Sequence, residues 1–155
     1  MSSFPAPRAW SGQPGTRDTA HRMSRENVEV VRSALGAFDR NLDRVAEFWD
    51  PDIDWRAIEG APDDIGVFRG HDAMRRYYEQ WYDMFGDLRG TVEELIDAGE
   101  DRVVAVFHVF ARMKGSEAEV DMRLGIVCTV RNGLIVRGRE YATREQALEA
   151  AGLRE

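Results

Sequence analysis

The sequence predicts an α+β fold in which a curved antiparallel sheet packs against three helices and a short C-terminal helix. Asn132-Gly133 stands between two apolar segments, and this arrangement is the strongest short-range signal for a β-hairpin. Apolar side chains recur at helical spacing in the first half of the chain, whereas long alternating segments fill the second half. We therefore expect helices first and a meander of strands after them.

Length and composition indicate one globular domain. The chain has 155 residues, of which 43% are hydrophobic and 32% charged, as is usual for a folded domain. A formal charge of −7 argues against nucleic acid as a partner. The lone Cys128 allows no internal disulfide, and no apolar run approaches the length of a membrane span. We expect a cytoplasmic protein that binds neither nucleic acid nor membrane.

The first elements are predicted as a tail and a helix. Residues Met1–Arg22 contain Pro and Gly without periodicity, so we expect a disordered tail before a domain spanning residues 23–155. Ser24 is a suitable N-cap for a helix over residues 25–39, whose apolar positions are Val28, Val31, Leu35 and Phe38.

The next segments predict a short helix, a strand, a loop and a long helix. A helix over residues 42–49 should stop at Asp50-Pro51, because proline disfavours helix in the preceding residue. Residues 53–58 read as a strand, and the Gly- and Pro-containing stretch 59–70 as a loop at the rim of a pocket. Residues 72–85 form a helix dense with large side chains, most of which we expect in the core.

The second half of the chain predicts an antiparallel meander. Turn residues separate alternating segments that we assign as strands over residues 89–98, 102–114, 119–131 and 134–143. A short helix over residues 145–151 should end at Gly152, which is a typical C-terminal signal.

Several local segments, in this order and spacing, resemble a SnoaL-like domain of the NTF2-like superfamily. The resemblance covers Met23 to Leu153 and is carried by Phe48-Trp49-Asp50-Pro51-Asp52-Ile53-Asp54-Trp55, Phe68-Arg69-Gly70-His71-Asp72-Ala73-Met74, Arg131-Asn132-Gly133-Leu134-Ile135, Arg139-Glu140-Tyr141 and Glu145-Gln146-Ala147-Leu148. It implies a cone-shaped α+β barrel with a pocket between the curled sheet and the helices. It also implies frequent homodimerisation through the outer face of the sheet.

The resemblance does not determine a reaction, because the superfamily includes isomerases, dehydratases, epoxide hydrolases, polyketide cyclases and proteins without catalytic activity. By rough alignment, the catalytic positions of the ketosteroid isomerases of this fold correspond to Ala34, Ile126 and Arg56. None of these three side chains can perform the isomerase roles. The facing His and Asp of the dehydratases have no counterpart that we can place.

Strand pairing outward from the hairpin predicts which face of the sheet lines the pocket. It sets Gly125 opposite Glu140 and Arg123 opposite Ala142, with His108 roughly beside Arg123. The more continuous apolar face should pack on the helices and line the pocket. On this prediction the ligand-binding side chains are Trp55, Tyr78, Phe107, Met122, Leu124, Arg139 and Tyr141. Arg139 would pair with Asp54 or Glu59, or bind an anionic group of the ligand.

A polar band of His108, Asp121, Arg123 and Glu140 falls on the opposite face in this register. One interpretation is a salt-bridge network at a dimer interface. In the other, a β-bulge reverses the alternation and brings the band into the pocket. Asp121 or Glu140 would then be a general base oriented by Arg123, with His108 as its acid partner.

Two functional hypotheses follow. The first is a protein that binds a small, largely apolar organic molecule and carries out cofactor-free acid/base chemistry of the isomerase, cyclase or hydrolase type. The second is a non-catalytic, dimeric binding or accessory module. We expect no metal or cofactor, because the only other histidines are His21 in the tail and His71 at a helix entry. An ionisable side chain inside the cavity with a shifted pKa would favour the first hypothesis.

Overall fold

A computed structural model describes residues 14–58 and 66–153 of the chain. In chain order its elements are α1 (Pro14–Gly36), α2 (Leu42–Ala46), β1 (Trp49–Arg56), β2 (Val67–Arg69), α3 (Gly70–Met84), β3 (Phe85–Gly99), β4 (Arg102–Met113), β5 (Glu119–Arg131), β6 (Leu134–Tyr141) and α4 (Arg144–Ala150). Within these ranges no helix is long and apolar enough to cross a membrane.

The strands form one six-stranded sheet in the order β2-β1-β6-β5-β4-β3. The predicted α+β fold is confirmed. Neighbouring strands are antiparallel except β1 and β6, which run parallel, so the sheet is mixed rather than wholly antiparallel as predicted. The parallel pair arises because α3 and the three-strand meander lie between β1 and β6 in the chain.

The apolar core lies between the helices and one face of the sheet, which we call the inner face. Side chains of α1 and α3 pack there against β1, β4, β5 and β6, through buried residues such as Val31, Met74, Val103 and Ile126. On the opposite, outer face a smaller cluster forms beneath α4, where Ala147 and Leu148 cover Val104 and Val127. Elsewhere the outer face carries charged side chains together with Val106 and Phe110.

Two local predictions about the second half of the chain are confirmed. Asn132 and Gly133 have φ values of 53° and 78°, which the tight hairpin turn between β5 and β6 requires. Thr143 caps α4 by accepting a hydrogen bond from the backbone N–H of Gln146, and Gly152 follows the helix with a φ of 80°.

Several predicted boundaries near the N-terminus are wrong. The first helix begins at Pro14, so residues 14–22 of the predicted disordered tail are helical, while residues 1–13 lie outside the described residues. The second helix ends at Ala46, and Trp49 already belongs to β1. Pro51 is tolerated inside β1 because the pairing with β6 is irregular between Trp49 and Asp54.

The predicted loop over residues 59–70 also contains a strand. Residues 67–69 form β2, which pairs with the end of β1. Residues 59–65 of this loop, and with them most of its predicted role as a pocket rim, lie outside the described residues.

A β-bulge in β6 changes the register that the hairpin predicts. Val130 pairs with Ile135, but Thr129 pairs with Arg137, so Val136 has no partner on β5. Beyond the bulge Gly125 lies opposite Tyr141, and Ile126 lies opposite Glu140. The predicted pairs of Gly125 with Glu140 and of Arg123 with Ala142 are therefore wrong by one residue.

Candidate active site

The bulge at Val136 brings the carboxylate of Glu140 to the inner face. Because side chains alternate along a strand, a shift of one residue reverses the face of every side chain that follows. Glu140 consequently shares a face with its partner Ile126, which is 2% exposed in the core. Gly138 lies on the same face, where it leaves room for the ring of Trp55 on the neighbouring strand.

Glu140 is held by hydrogen bonds from two elements. The indole Nε1 of Trp55 donates to Oε2 over 2.7 Å. The hydroxyl of Tyr77, on α3, lies 2.8 Å from Oε2 and 3.0 Å from Oε1. The backbone N–H of Ile58 also donates to this carboxylate. The side chain is therefore fixed at the junction of β1, β6 and α3.

The carboxylate faces a small cavity between the sheet and the helices. The cavity has a volume of about 30 Å³, which is enough for about two water molecules. It is lined by Leu35, Phe38, Trp55, Tyr77, Tyr78, Trp81, Phe107, Val109, Leu124, Ile126 and Glu140. Of these, Tyr77, Trp81 and Glu140 are only partly buried, so the cavity comes closest to solvent on the α3 side.

Burial shifts the protonation equilibria of the site. The pKa of Glu140 is raised, chiefly because burial disfavours the charged carboxylate, while the hydrogen bonds from Trp55, Tyr77 and Ile58 oppose the shift. The pKa of Tyr77 is raised well above its ordinary value by burial and by the charge of Glu140. The Tyr77 hydroxyl therefore stays protonated at neutral pH and acts as a hydrogen-bond donor.

The structure places four of the predicted pocket residues in the cavity wall. Trp55, Tyr78, Phe107 and Leu124 all line the cavity. Met122 is on the same face and packs against the core around it. The phenol of Tyr141 was predicted on this face, but the bulge reverses it, and it packs on the outer face in the cluster beneath α4.

Arg139 is also reversed by the bulge, and the prediction that it points into the pocket is wrong. It lies beside Arg56 on the outer face. Its Nη1 is 3.1 Å from Asp54 Oδ1 and donates to the backbone carbonyls of Asp54 and Gly138. Arg139 thus contacts Asp54, one of the partners that the sequence left open, but it does so on the outer face, and the alternative partner Glu59 lies outside the described residues.

The other three members of the predicted polar band remain together on the outer face. His108 pairs in register with Arg123, as predicted, and its Nε2 is 2.6 Å from Asp121 Oδ1. Arg123 forms a bidentate ion pair with Glu93, through contacts of 2.8 and 3.2 Å. The bulge therefore separates Glu140 from His108, Asp121 and Arg123, and the four residues do not form one site.

A wider groove lies next to these ion pairs on the outer face. It has a volume of about 460 Å³ and is lined by Glu93, Glu94, Val106, Arg123, Ala142, Thr143, Arg144 and Glu145. Its guanidinium groups pair with its carboxylates, since Arg144 contacts Glu94 as Arg123 contacts Glu93. A ligand in this groove would have to compete with both ion pairs.

The sequence prediction missed Tyr77 as a site residue, and only its alternative with a β-bulge brings Glu140 to the inner face. Tyr77 and Trp81 are one helical turn apart on α3, and this spacing puts both on the side of the helix that faces the cavity. The signal for the bulge was the run Leu134-Ile135-Val136, which interrupts strict alternation directly before the reversed segment.

His71 plays a local structural role, in agreement with its predicted place at a helix entry. It lies in the first turn of α3, with its Nε2 3.1 Å from the backbone oxygen of Trp49. Its ring also meets that of Trp49 edge to face, with centroids 5.4 Å apart. Across residues 14–58 and 66–153, no group of His, Cys, Asp and Glu side chains is arranged to hold a metal ion.

Fold and site together define the class of this protein: an NTF2-like domain with a cavity between the curved sheet and its helices. The family model for the SnoaL-like domain matches residues 28–138, and the chain belongs to this family. No curated protein matches the chain.

Solved structures share the fold at low sequence identity. Bal32a from a soil-derived mobile gene cassette is 22% identical with a TM-score of 0.67, over 76% of this chain and 89% of that one. TerC, co-crystallized with polyporic acid, is 20% identical with a TM-score of 0.66, over 82% and 98% of the two chains. A protein with a ketosteroid isomerase-like fold from Catenulispora acidiphila, in complex with trimethylamine, is 16% identical with a TM-score of 0.64, over 81% and 93%.

Proposed function

We propose that this protein binds a small, largely apolar organic molecule in the inner cavity and moves a proton on it, with Glu140 as the general base. The observation that carries the proposal is the carboxylate of Glu140 among aromatic rings, held by Trp55 and Tyr77. A carboxylate whose pKa is raised by burial has a basicity closer to neutral pH, which suits it to proton transfer.

The surroundings of Glu140 support cofactor-free chemistry. The Tyr77 hydroxyl keeps its own proton at neutral pH and donates a hydrogen bond to the carboxylate, so it holds Glu140 in position to accept a proton from a substrate. The apolar part of a substrate would pack against aromatic side chains that line the cavity, such as Phe38 and Phe107. The fold neighbours TerC and the C. acidiphila protein were crystallised with small organic molecules.

The present cavity limits the size of a ligand. At about 30 Å³ it holds water but no organic molecule of several carbon atoms. Binding therefore requires a wall side chain on the α3 side to move aside, and we expect this to be Trp81, which is partly buried and, unlike Tyr77, does not hold Glu140. We expect ligand binding to change the fluorescence of Trp81 for this reason.

The test uses proton exchange, since it needs no knowledge of the natural substrate. The protein is incubated in D₂O with small hydrophobic ketones, and deuterium incorporation next to the carbonyl is followed by NMR. We expect Glu140→Gln to slow the exchange by about 100-fold or more, because the amide cannot accept the proton. The matched control is Asp121→Asn, which changes a carboxylate on the outer face and should leave the exchange rate unaltered. Equal rates in Glu140→Gln and the unaltered protein would refute the assignment of the base.

A second candidate is a non-catalytic dimeric module. The small size of the cavity favours it, as does the band of ion pairs on the open outer face, where a second copy could pack. Sedimentation equilibrium distinguishes the candidates when combined with the exchange assay. A dimer that Asp121→Asn weakens, together with no exchange on any ketone, epoxide or polycyclic aromatic tested, would favour the module.

A further inference from the structure

Arginine side chains gather on the outer face at β1, β2 and β6, on the side of the sheet opposite the cavity. The register places Arg56 beside Arg139, Arg137 beside Asp54, and Asp54 beside Arg69. Adjacent strands are about 4.8 Å apart. The four guanidinium groups can therefore reach a common ligand from neighbouring positions.

Within residues 22–58 and 66–153, one carboxylate contacts the arginines of this cluster. Asp54 lies 3.1 Å from Arg139 and 3.4 Å from Arg69, and the contact with Arg139 is too poorly aligned for a hydrogen bond to Oδ1. Arg56 and Arg137 are exposed, and neither forms an ion pair with a side chain of residues 22–58 or 66–153. Among the described residues, the cluster therefore has four guanidinium groups and one carboxylate, on a protein whose net charge is −7.

Arg139 is the least exposed member of the cluster. Its side chain is 17% exposed, and its Nη1 is fixed by the carbonyl oxygens of Asp54 and Gly138. Burial lowers the pKa of Arg139, and the positive charges of Arg137 and Arg56 lower it further. An anion placed among the three guanidinium groups would relieve this repulsion.

We propose that Arg56, Arg137 and Arg139 form an anion-binding site that takes a phosphate or carboxylate group. Guanidinium groups present paired N–H donors that match the oxygens of both kinds of anion. This site and the cavity of the proposed function lie on opposite faces of the sheet, because side chains alternate along β1 and β6. Trp55 and Glu140 point to the inner face, while their chain neighbours Arg56 and Arg139 point to the outer face.

The experiment titrates the full chain with inorganic pyrophosphate and, separately, with citrate, while backbone amide shifts are followed by NMR. We expect saturable shifts on β1 and β6. The substitutions Arg56→Gln and Arg137→Gln should each weaken binding about tenfold, because each removes a charged hydrogen-bond donor. Both side chains are exposed, so the variants should keep the fold, which their unperturbed spectra away from the site will verify.

The control variant is Arg112→Gln, which removes an outer-face arginine that is paired with Glu119 on β5. It should bind both anions as the unaltered protein does. Saturation by pyrophosphate alone would assign the site to phosphate groups, and saturation by citrate alone would assign it to carboxylates. Absence of saturable shifts with both anions, or equal affinity in Arg137→Gln and Arg112→Gln, would overturn the proposal.

Discussion

On the inner face of the sheet, Glu140 is surrounded by rings and accepts hydrogen bonds from Trp55 and Tyr77. On the outer face, Asp121 keeps 61% of its side chain exposed and contacts the imidazole of His108. Both are carboxylates on central strands of one sheet, but Glu140 is much less exposed to water than Asp121. Desolvation raises the pKa of Glu140 and makes its hydrogen bonds costly to remove, whereas water screens the contacts of Asp121.

This contrast explains why the two faces call for different interpretations. A buried carboxylate is retained at a cost in stability, which makes it a candidate for function. An exposed ion pair on a sheet is an ordinary way to keep a strand surface soluble. Substitutions on the inner face should therefore have larger effects than substitutions on the outer face.

The largest effect is expected for Trp55→Ala. The indole is 3% exposed in the core, and its loss leaves a large cavity and removes one donor from Glu140. We expect the free energy of unfolding to fall by about 3 to 5 kcal/mol. Urea denaturation followed by circular dichroism measures this change, and a loss under 1 kcal/mol would mean that the ring is not packed as described.

A smaller loss is expected for Tyr77→Phe. The ring stays stacked on Phe68, with centroids 4.5 Å apart, so packing is kept while the donor to Glu140 is lost. Removing a hydrogen bond to a charged group should cost about 1.5 to 3 kcal/mol. The matched control is Tyr82→Phe, because the hydroxyl of Tyr82 donates to the backbone oxygen of Phe38 and not to Glu140. Only Tyr77→Phe should raise the pKa of Glu140 further.

Gly138→Ala tests the close approach of Trp55 to β6. A methyl group at Gly138 would overlap the Trp55 ring, whereas one at Gly36 meets nothing within 4 Å. We expect a loss of about 1 to 3 kcal/mol for Gly138→Ala and no loss for Gly36→Ala. The midpoint temperatures of thermal unfolding of Gly138→Ala and Gly36→Ala measure this difference in stability. Equal stability of the two variants would show that the ring does not lie against Gly138.

The smallest effect is expected for Asp121→Asn. Its contact with His108 is short, at 2.6 Å, but the side chain is largely exposed. Exposed ion pairs contribute less than about 1 kcal/mol, and added salt should shrink the difference further. Urea denaturation at low and high salt measures both changes. A loss comparable to that of Tyr77→Phe would show that the outer face is buried in solution, as a dimer interface would be.

Most of the fold could be predicted from the sequence, because the patterns that indicate its helices, strands and turns are local. The hairpin at Asn132-Gly133, the cap at Thr143 and the aromatic helix each depend on a few neighbouring residues, and all three are present in the structure. The family resemblance added the order of the elements.

The site was harder to predict because its residues depend on register. The bulge adds a single unpaired residue, Val136, to β6. This one residue reverses the faces on which Glu140, Arg139 and Tyr141 lie. Trp55, Tyr78, Phe107 and Leu124 were placed correctly because they precede the bulge or lie on other strands. The pairing of Glu140 with Tyr77 joins residues 63 positions apart, and no local pattern in the sequence indicates it.

The most direct test of the account is the pKa of Glu140, measured by ¹³C NMR of the carboxyl carbons with Glu140→Gln to assign the signal. We expect this pKa to lie above the ordinary value of about 4.3 for a glutamate. We also expect a stability contribution that is complete below pH of about 4.3 and is lost as the pH rises through the raised pKa, because the folded state holds this proton more tightly than the unfolded state. Glu140→Gln should remove that loss. A pKa at or below about 4.3, with the same pH dependence of stability in both proteins, would contradict the placement of Glu140 in the inner cavity.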